Sequence, residues 1–239
     1  MNALRITICL FAFSVVSATG CSRHVAVNDP EAMAVIDQMA RAYASCQTYR
    51  DTGTVTTIYL SSDGDETERK QFSTALSRPD QFRFEYSEPD VAQSRYIVWR
   101  NGDEVRTWWD LNQEDEQETS LGMAIAGATG VSSGSAHTVP ALLMPVEIGG
   151  RLLTDLEAAT LGKRTSLDGN TCILIHALYA GEPIEIWIDE QSHLVRRIHS
   201  TSGHGDFTTT ETTVYDPVAN EPLEPRLLEY NSPGPINGQ

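Results

Sequence analysis

The chain is 239 residues long and carries 33 acidic against 17 basic side chains, a formal net charge of −16. A balance so acidic argues against nucleic acid as a partner and against broad adhesion to anionic lipid headgroups. Hydrophobic residues make up 40% of the chain, and no linker divides it, so one large domain is expected.

Residues 1–20 read as a signal segment rather than as part of the fold. Arg5 gives a positive start, and Ile6–Val16 is uncharged but too short to span a bilayer as a mature helix. Losing this segment removes Arg5, which leaves 16 basic against 33 acidic side chains and a net charge of −17. The small residues Ser17-Ala18-Thr19-Gly20 precede Cys21 directly. That run resembles the lipobox of bacterial lipoproteins, which implies a diacylated, palmitate-bearing Cys21 as a membrane anchor. Ala18 stands where Leu is usual, and ordinary cleavage after Ala18 or Gly20, giving a secreted periplasmic protein, is the alternative. Ser22 takes the place of an inner-membrane retention Asp, which points to the outer membrane, facing the periplasm. Residues 21–28 read as a polar tether, 29–219 as the folded domain and 220–239 as a Pro-rich tail packed loosely at the sheet edge.

The first element is a helix. Asp29-Pro30-Glu31 supplies a cap, a first-turn proline and an acid near the positive end of the dipole. Met33, Ile36, Met39, Ala40, Tyr43 and Cys46 then form one apolar stripe, so the helix runs to about Cys46 and lies across a sheet. Strands follow at Gly53–Leu60 and Arg69–Ser77, with a turn at Ser62-Asp63-Gly64 between them. Phe82, Phe84 and Tyr86 alternate with Arg83 and Glu85 and share one strand face. Arg95–Arg100 and Asp103–Trp109 flank Asn101-Gly102, a hairpin signal for a type I′ turn with positive φ at both central positions. Together these strands predict a three-stranded meander with one aromatic face.

The acidic runs 63–68 and 114–118 read as solvated loops, and neither fits an EF-hand. Residues 118–153 lose the β pattern. Gly122, Gly127, Gly130 and Gly134 stand among small residues before Val139-Pro140-Ala141-Leu142-Leu143-Met144-Pro145. Short mobile helices with an apolar face are expected near 120–129 and 137–145. The stretch lacks the Gly-Lys-Ser/Thr ending of a phosphate loop. Strands resume at Ala158–Ser166 and Thr171–Tyr179, the latter apolar enough for burial on both faces. Ile184, Ile186 and Ile188 alternate with polar neighbours, and Leu194–Ile198 and Asp206–Tyr215 complete the series. The fold class is mainly β (α+β): a curved antiparallel sheet forming an unclosed β-barrel, with the first helix and the helical insertion on its concave face.

Several segments carry a resemblance to the LolA-like superfamily of periplasmic lipoprotein carriers and outer-membrane lipoprotein-sorting proteins. They are the opening helix with Tyr49-Arg50-Asp51-Thr52-Gly53, then Arg78-Pro79-Asp80-Gln81-Phe82-Arg83-Phe84, Trp99-Arg100-Asn101-Gly102 and Leu161-Gly162-Lys163. Glu185-Ile186-Trp187-Ile188-Asp189 and Leu194-Val195-Arg196-Arg197-Ile198 complete the set. The resemblance spans roughly 29 to 215. It implies a lidded hydrophobic cavity that shelters acyl chains. A shuttle must leave the membrane, so an acylated Cys21 makes the chain similar to a tethered, receptor-type relative.

The expected cavity is lined by Phe82, Phe84, Tyr86, Val98, Trp99 and Trp109 of the meander and by Ile184 and Ile186. Leu142, Leu143 and Met144 of the insertion form the lid. The alternative is a structural or partner-binding outer-membrane lipoprotein whose concavity is filled by its own side chains. Catalysis has no support. His193 and His199 lie about 20 Å apart along one strand, and Ser132-Ser133-Gly134-Ser135 is not a nucleophile elbow. No enzyme activity, metal or cofactor is expected. The partners anticipated are the membrane, through the anchor, an acyl-chain or lipoprotein ligand, and an envelope protein. With Cys9 lost and Cys21 acylated, Cys46 and Cys172 remain. An oxidising envelope suggests a disulfide between them, two buried thiols being the alternative.

Overall fold

The computed structural model describes residues 27–232 apart from 63, 92–93 and 205–206. The signal segment, Cys21 and most of the tether lie outside the described residues. Helix α1, Pro30–Ser45, starts where its cap dictates: Asp29 Oδ1 accepts from the Glu31 amide at 2.9 Å. Its stripe of Ala32, Ile36, Met39 and Tyr43 is buried.

Strands β1 (Thr48–Leu60), β2 (Glu66–Ser77), β3 (Gln81–Ser87), β4 (Arg95–Asn101), β5 (Glu104–Trp109) and β6 (Asp115–Gln117) form one antiparallel meander. A second meander comprises β7 (Leu156–Leu167), β8 (Asn170–Tyr179), β9 (Glu182–Asp189), β10 (Val195–His204) and β11 (Phe207–Tyr215). The two join where β1 pairs β11 antiparallel, with Gly53 opposite Tyr215. The sheet is an unclosed half-barrel whose two edges are β6 and β7. Between the meanders come α2 (Leu121–Val131), α3 (Ser135–Leu143) and α4 (Pro145–Ile148). The short strand β12, Val218–Ala219, pairs the start of β1. A 3₁₀ turn at Pro225–Leu228 then lies against β2 and β3.

The alternation expected in β3 holds, with Phe82, Phe84 and Tyr86 buried and their neighbours half-buried. The hairpin after β4 differs by one residue. Asn101 pairs Glu104, so Gly102 and Asp103 are the central residues, and φ is positive only at Gly102, at 62°. That is the φ pattern of a type II′ turn, which needs glycine at its first central position. The acidic run at 114–118 also differs, because Asp115–Gln117 forms the edge strand β6, all three residues exposed. An edge strand has no second partner and no buried face to pattern, and charge on it deters pairing with another chain.

The expected disulfide is absent: Cys46 and Cys172 are both buried free thiols. Cys46 belongs to the core beneath the helices, where its thiol donates to the Tyr43 carbonyl. In β8 it is Ile173, Ile175 and Ala177 that pair Ile188, Ile186 and Ile184 on the helix-covered face. Cys172 alternates with them and points to the opposite face, so the sheet itself separates the two sulfurs.

Candidate ligand-binding concavity and lid

The concave face is built from alternate residues of nearly every strand. Phe72 and Leu76 of β2, Phe82, Phe84 and Tyr86 of β3, Tyr96 and Val98 of β4, and Ile184, Ile186 and Ile188 of β9 share one core. Over it lie α1 and the lid of α2–α4, with α2 on β4 and β5, α1 along β7, and α3 against α1. Leu121, Ala124, Ile125, Ala128, Ala136, Val139, Leu142, Leu143 and Met144 contribute the lid's share. Nine of the eleven side chains expected around the cavity therefore meet in one buried cluster. Trp109 is at its margin, its ring centroid 5.8 Å from that of Tyr96.

Trp99 is the exception. It pairs Arg83 and Arg106 and alternates with Val98, so it faces outward, where its indole N–H donates to the Leu228 carbonyl at 2.7 Å. The expected lining puts Val98 and Trp99 in one cavity, although adjacent residues of a strand point to opposite faces. The outer face is instead covered by the C-terminal segment.

In this closed arrangement the helices' own side chains occupy the concavity: Phe82, Phe84 and Ile186 are fully buried and Leu143 is 1% exposed. Polar ties fix the lid at its margins. Lys70, itself buried on β2, donates to Ser133 Oγ at 3.0 Å. Arg78 donates to the Leu143 carbonyl at 2.7 Å, and also to the Cys46 and Ala44 carbonyls at the end of α1. Arg100 pairs with Glu147 of α4. Ser133 and Gly134, the link between α2 and α3, both have positive φ, 49° and 76°.

A carboxylate sits inside the apolar face. Asp51 is 3% exposed and accepts the Tyr49 hydroxyl at 2.7 Å through Oδ2, with Thr74 directly opposite on β2. Burial pushes the Asp51 carboxyl up to about 6, against Tyr49 and Thr74, which lower it. Burial likewise raises the phenols of Tyr43, Tyr49 and Tyr215 around it. Sequence reasoning gives no role to Asp51, Lys70 or Arg78, the first and last of which it names only within segments of resemblance. The available signal was register: Asp51 shares the strand face of Tyr49 and Val55, an unusual place for a carboxylate.

His193 and His199 are not brought together with any catalytic partner: His199 Nδ1 lies 2.9 Å from Thr212 Oγ1 on the neighbouring strand, and among the described residues no cluster of metal-ligating side chains exists.

The architecture is thus an unclosed antiparallel half-barrel, two meanders joined at β1–β11, with one helix and a helical lid on its concave face. No protein-family profile and no curated protein matches the chain. Among solved structures, it is similar to the lipoprotein LppX of Mycobacterium tuberculosis at 14% identity, over 82% of this chain and 99% of that one, with a TM-score of 0.47. The MucA/MucB complex of Pseudomonas aeruginosa aligns at 14% identity, over 84% of this chain and 61% of that one, TM-score 0.45. A LolA superfamily protein from Nitrosomonas europaea aligns at 10% identity, over 83% and 97%, TM-score 0.32.

Proposed function

We propose that this is a non-enzymatic envelope lipoprotein that shelters an acyl chain, of a lipid or lipopeptide, between its half-barrel and its lid, in lipid or lipoprotein sorting. The observation that carries the reading is how the lid is held. Its centre meets the sheet through small and aliphatic side chains, while its polar ties to Lys70, Arg78 and Arg100 lie at the margins. A segment attached in this way exchanges one apolar partner for another at little cost. An acyl chain replacing Leu142, Leu143 and Met144 against the sheet keeps the same apolar area out of water. The anchor in this reading is an acylated Cys21, which holds the protein at the outer membrane on its periplasmic side.

The test is uptake of a fluorescent fatty-acyl probe. The wild-type protein binds it at micromolar concentration, and Leu143→Glu weakens uptake while the circular-dichroism spectrum stays β-rich. A second reading is favoured by the full burial of Phe82, Phe84 and Ile186 under the closed lid: a structural or partner-binding lipoprotein with a self-filled core. Absence of probe binding by the wild type supports that reading instead. A Cys21→Ser variant released into the soluble periplasm supports the anchor, and a mature Cys21 without acyl mass removes it.

A further inference from the structure

The outward Trp99 belongs to a second site. Its N–H is engaged by Leu228, so what it offers is the ring. The Tyr230 ring lies 5.4 Å away at 40°, with its hydroxyl bonded to Asp115 and to the Thr107 carbonyl, and Arg106 sits 5.8 Å from its centroid. Both aromatics are thus fixed in place with their polar atoms satisfied. They border a cleft of about 770 Å³ between the C-terminal segment and the ends of β3 and β4. Gln81 and Asn101 face each other across β3 and β4 in the same cleft, and Asn101 shares the face of Trp99 two residues away. Asn231 and Glu229 complete the rim. Among the described residues, no hydrogen bond engages the side-chain amides of Gln81, Asn101 or Asn231.

We propose that this cleft binds a neutral oligosaccharide, with Trp99 and Tyr230 as the platform and Gln81, Asn101 and Asn231 as its hydroxyl- or acetamido-reading groups. A pyranose ring presents an apolar C–H face and a rim of groups that both donate and accept. Fixed aromatic rings suit the first, and amides, with two donors and an acceptor each, suit the second. A purely apolar ligand would cover the half-buried Gln81 amide and leave it without a partner. An anionic glycan meets Glu229 and a chain of net charge −16. The site lies on the sheet face opposite the lid, so it stands whether or not an acyl chain binds beneath that lid.

Calorimetry and tryptophan fluorescence on the full chain test this, with the N-acetylglucosamine hexamer and maltohexaose as probes and an uncharged hexapeptide as comparison. The expected result is saturable binding of a sugar, with Gln81→Ala and Asn101→Ala each weakening it about tenfold. Both variants leave the Trp99–Tyr230 pair in place, so an unchanged Tm certifies the fold. Trp99→Phe removes the fluorescence response. Preference for the acetylated hexamer assigns an amino-sugar envelope glycan, and preference for maltohexaose assigns a glucan. The proposal is overturned by no saturable heat with either sugar, by binding that Gln81→Ala and Asn101→Ala leave unchanged, or by binding of the peptide alone.

Discussion

The hydroxyl of Tyr49 donates to Asp51 Oδ2 at 2.7 Å on the inner face of the sheet, where this carboxylate is only 3% exposed. Tyr43 of α1, Tyr215 of β11 and Thr74 of β2 surround it, and Asp216 adds a like charge. The folded-state value of about 6 is above the ordinary 3.8, so folding favours the protonated acid. The stability this gives is fully present below about pH 4 and is lost as pH rises through 6. Asp51→Asn is expected to be more stable than wild type at pH 8, on the order of 3 kcal/mol, and equal to it near pH 4. Thermal melts across that range check this, and equal melting at pH 8 contradicts it.

Cys46 and Cys172 on opposite faces of one sheet make a redox prediction. Protein denatured without reductant should label at both positions, and adding reductant to the native protein should leave Tm unchanged. A reductant-dependent fall in Tm would show a bridge that the geometry excludes.

Gly53, at the seam between the meanders, is held to glycine by close contact. A Cβ there would lie 2.2 Å from Phe72 Cζ and 2.4 Å from the Val214 carbonyl oxygen. The ring can turn aside, but the backbone carbonyl belongs to the β1–β11 ladder and cannot. Gly53→Ala should cost about 1–3 kcal/mol in chemical denaturation, and pairing it with Phe72→Leu should recover only part of the loss.

Arg78 joins three elements, donating at 2.7 Å to Cys46 and Leu143 carbonyls and at 3.1 Å to Ala44. Arg78→Met keeps the stem and removes all three bonds. The expected loss is about 1.5–3 kcal/mol, as for hydrogen bonds from a charged donor. Amide exchange should quicken in 135–148 while β9 and β10 remain protected. Unchanged exchange across the lid would mean that Arg78 serves α1 alone.

Elements whose burial is one-sided were legible in the sequence. The stripe of α1 and the alternations of β3 and β9 appear in the structure with ends shifted by a few residues at most. What escaped had no such pattern. Asp115–Gln117 pairs one neighbour and buries nothing, so nothing in its composition marks it as a strand. Trp99 and Val98 are both apolar because both faces of β4 are covered, one by the lid and one by residues more than 120 positions later. Composition does not tell the two covers apart. The Cys46–Cys172 pairing failed for the same reason, since a count of thiols carries no information about sides. Lys70 and Arg78 look like ordinary strand and turn cations until the lid's place is known.

The two edges of the half-barrel, β6 and β7, are consecutive strands in the chain, and α2–α4 is the segment that connects them. The lid is therefore also a tie-rod: a covalent cord of fixed contour running from one rim of the open mouth to the other. Any guest that spreads the rims pulls on this cord, and the packing of α2–α4 on the sheet resists before chain length does, because the connecting residues extended would reach well past the mouth. Lengthening the cord at Gly149 and Gly150, which already have positive φ, would ease that pull while leaving Leu153 in the core.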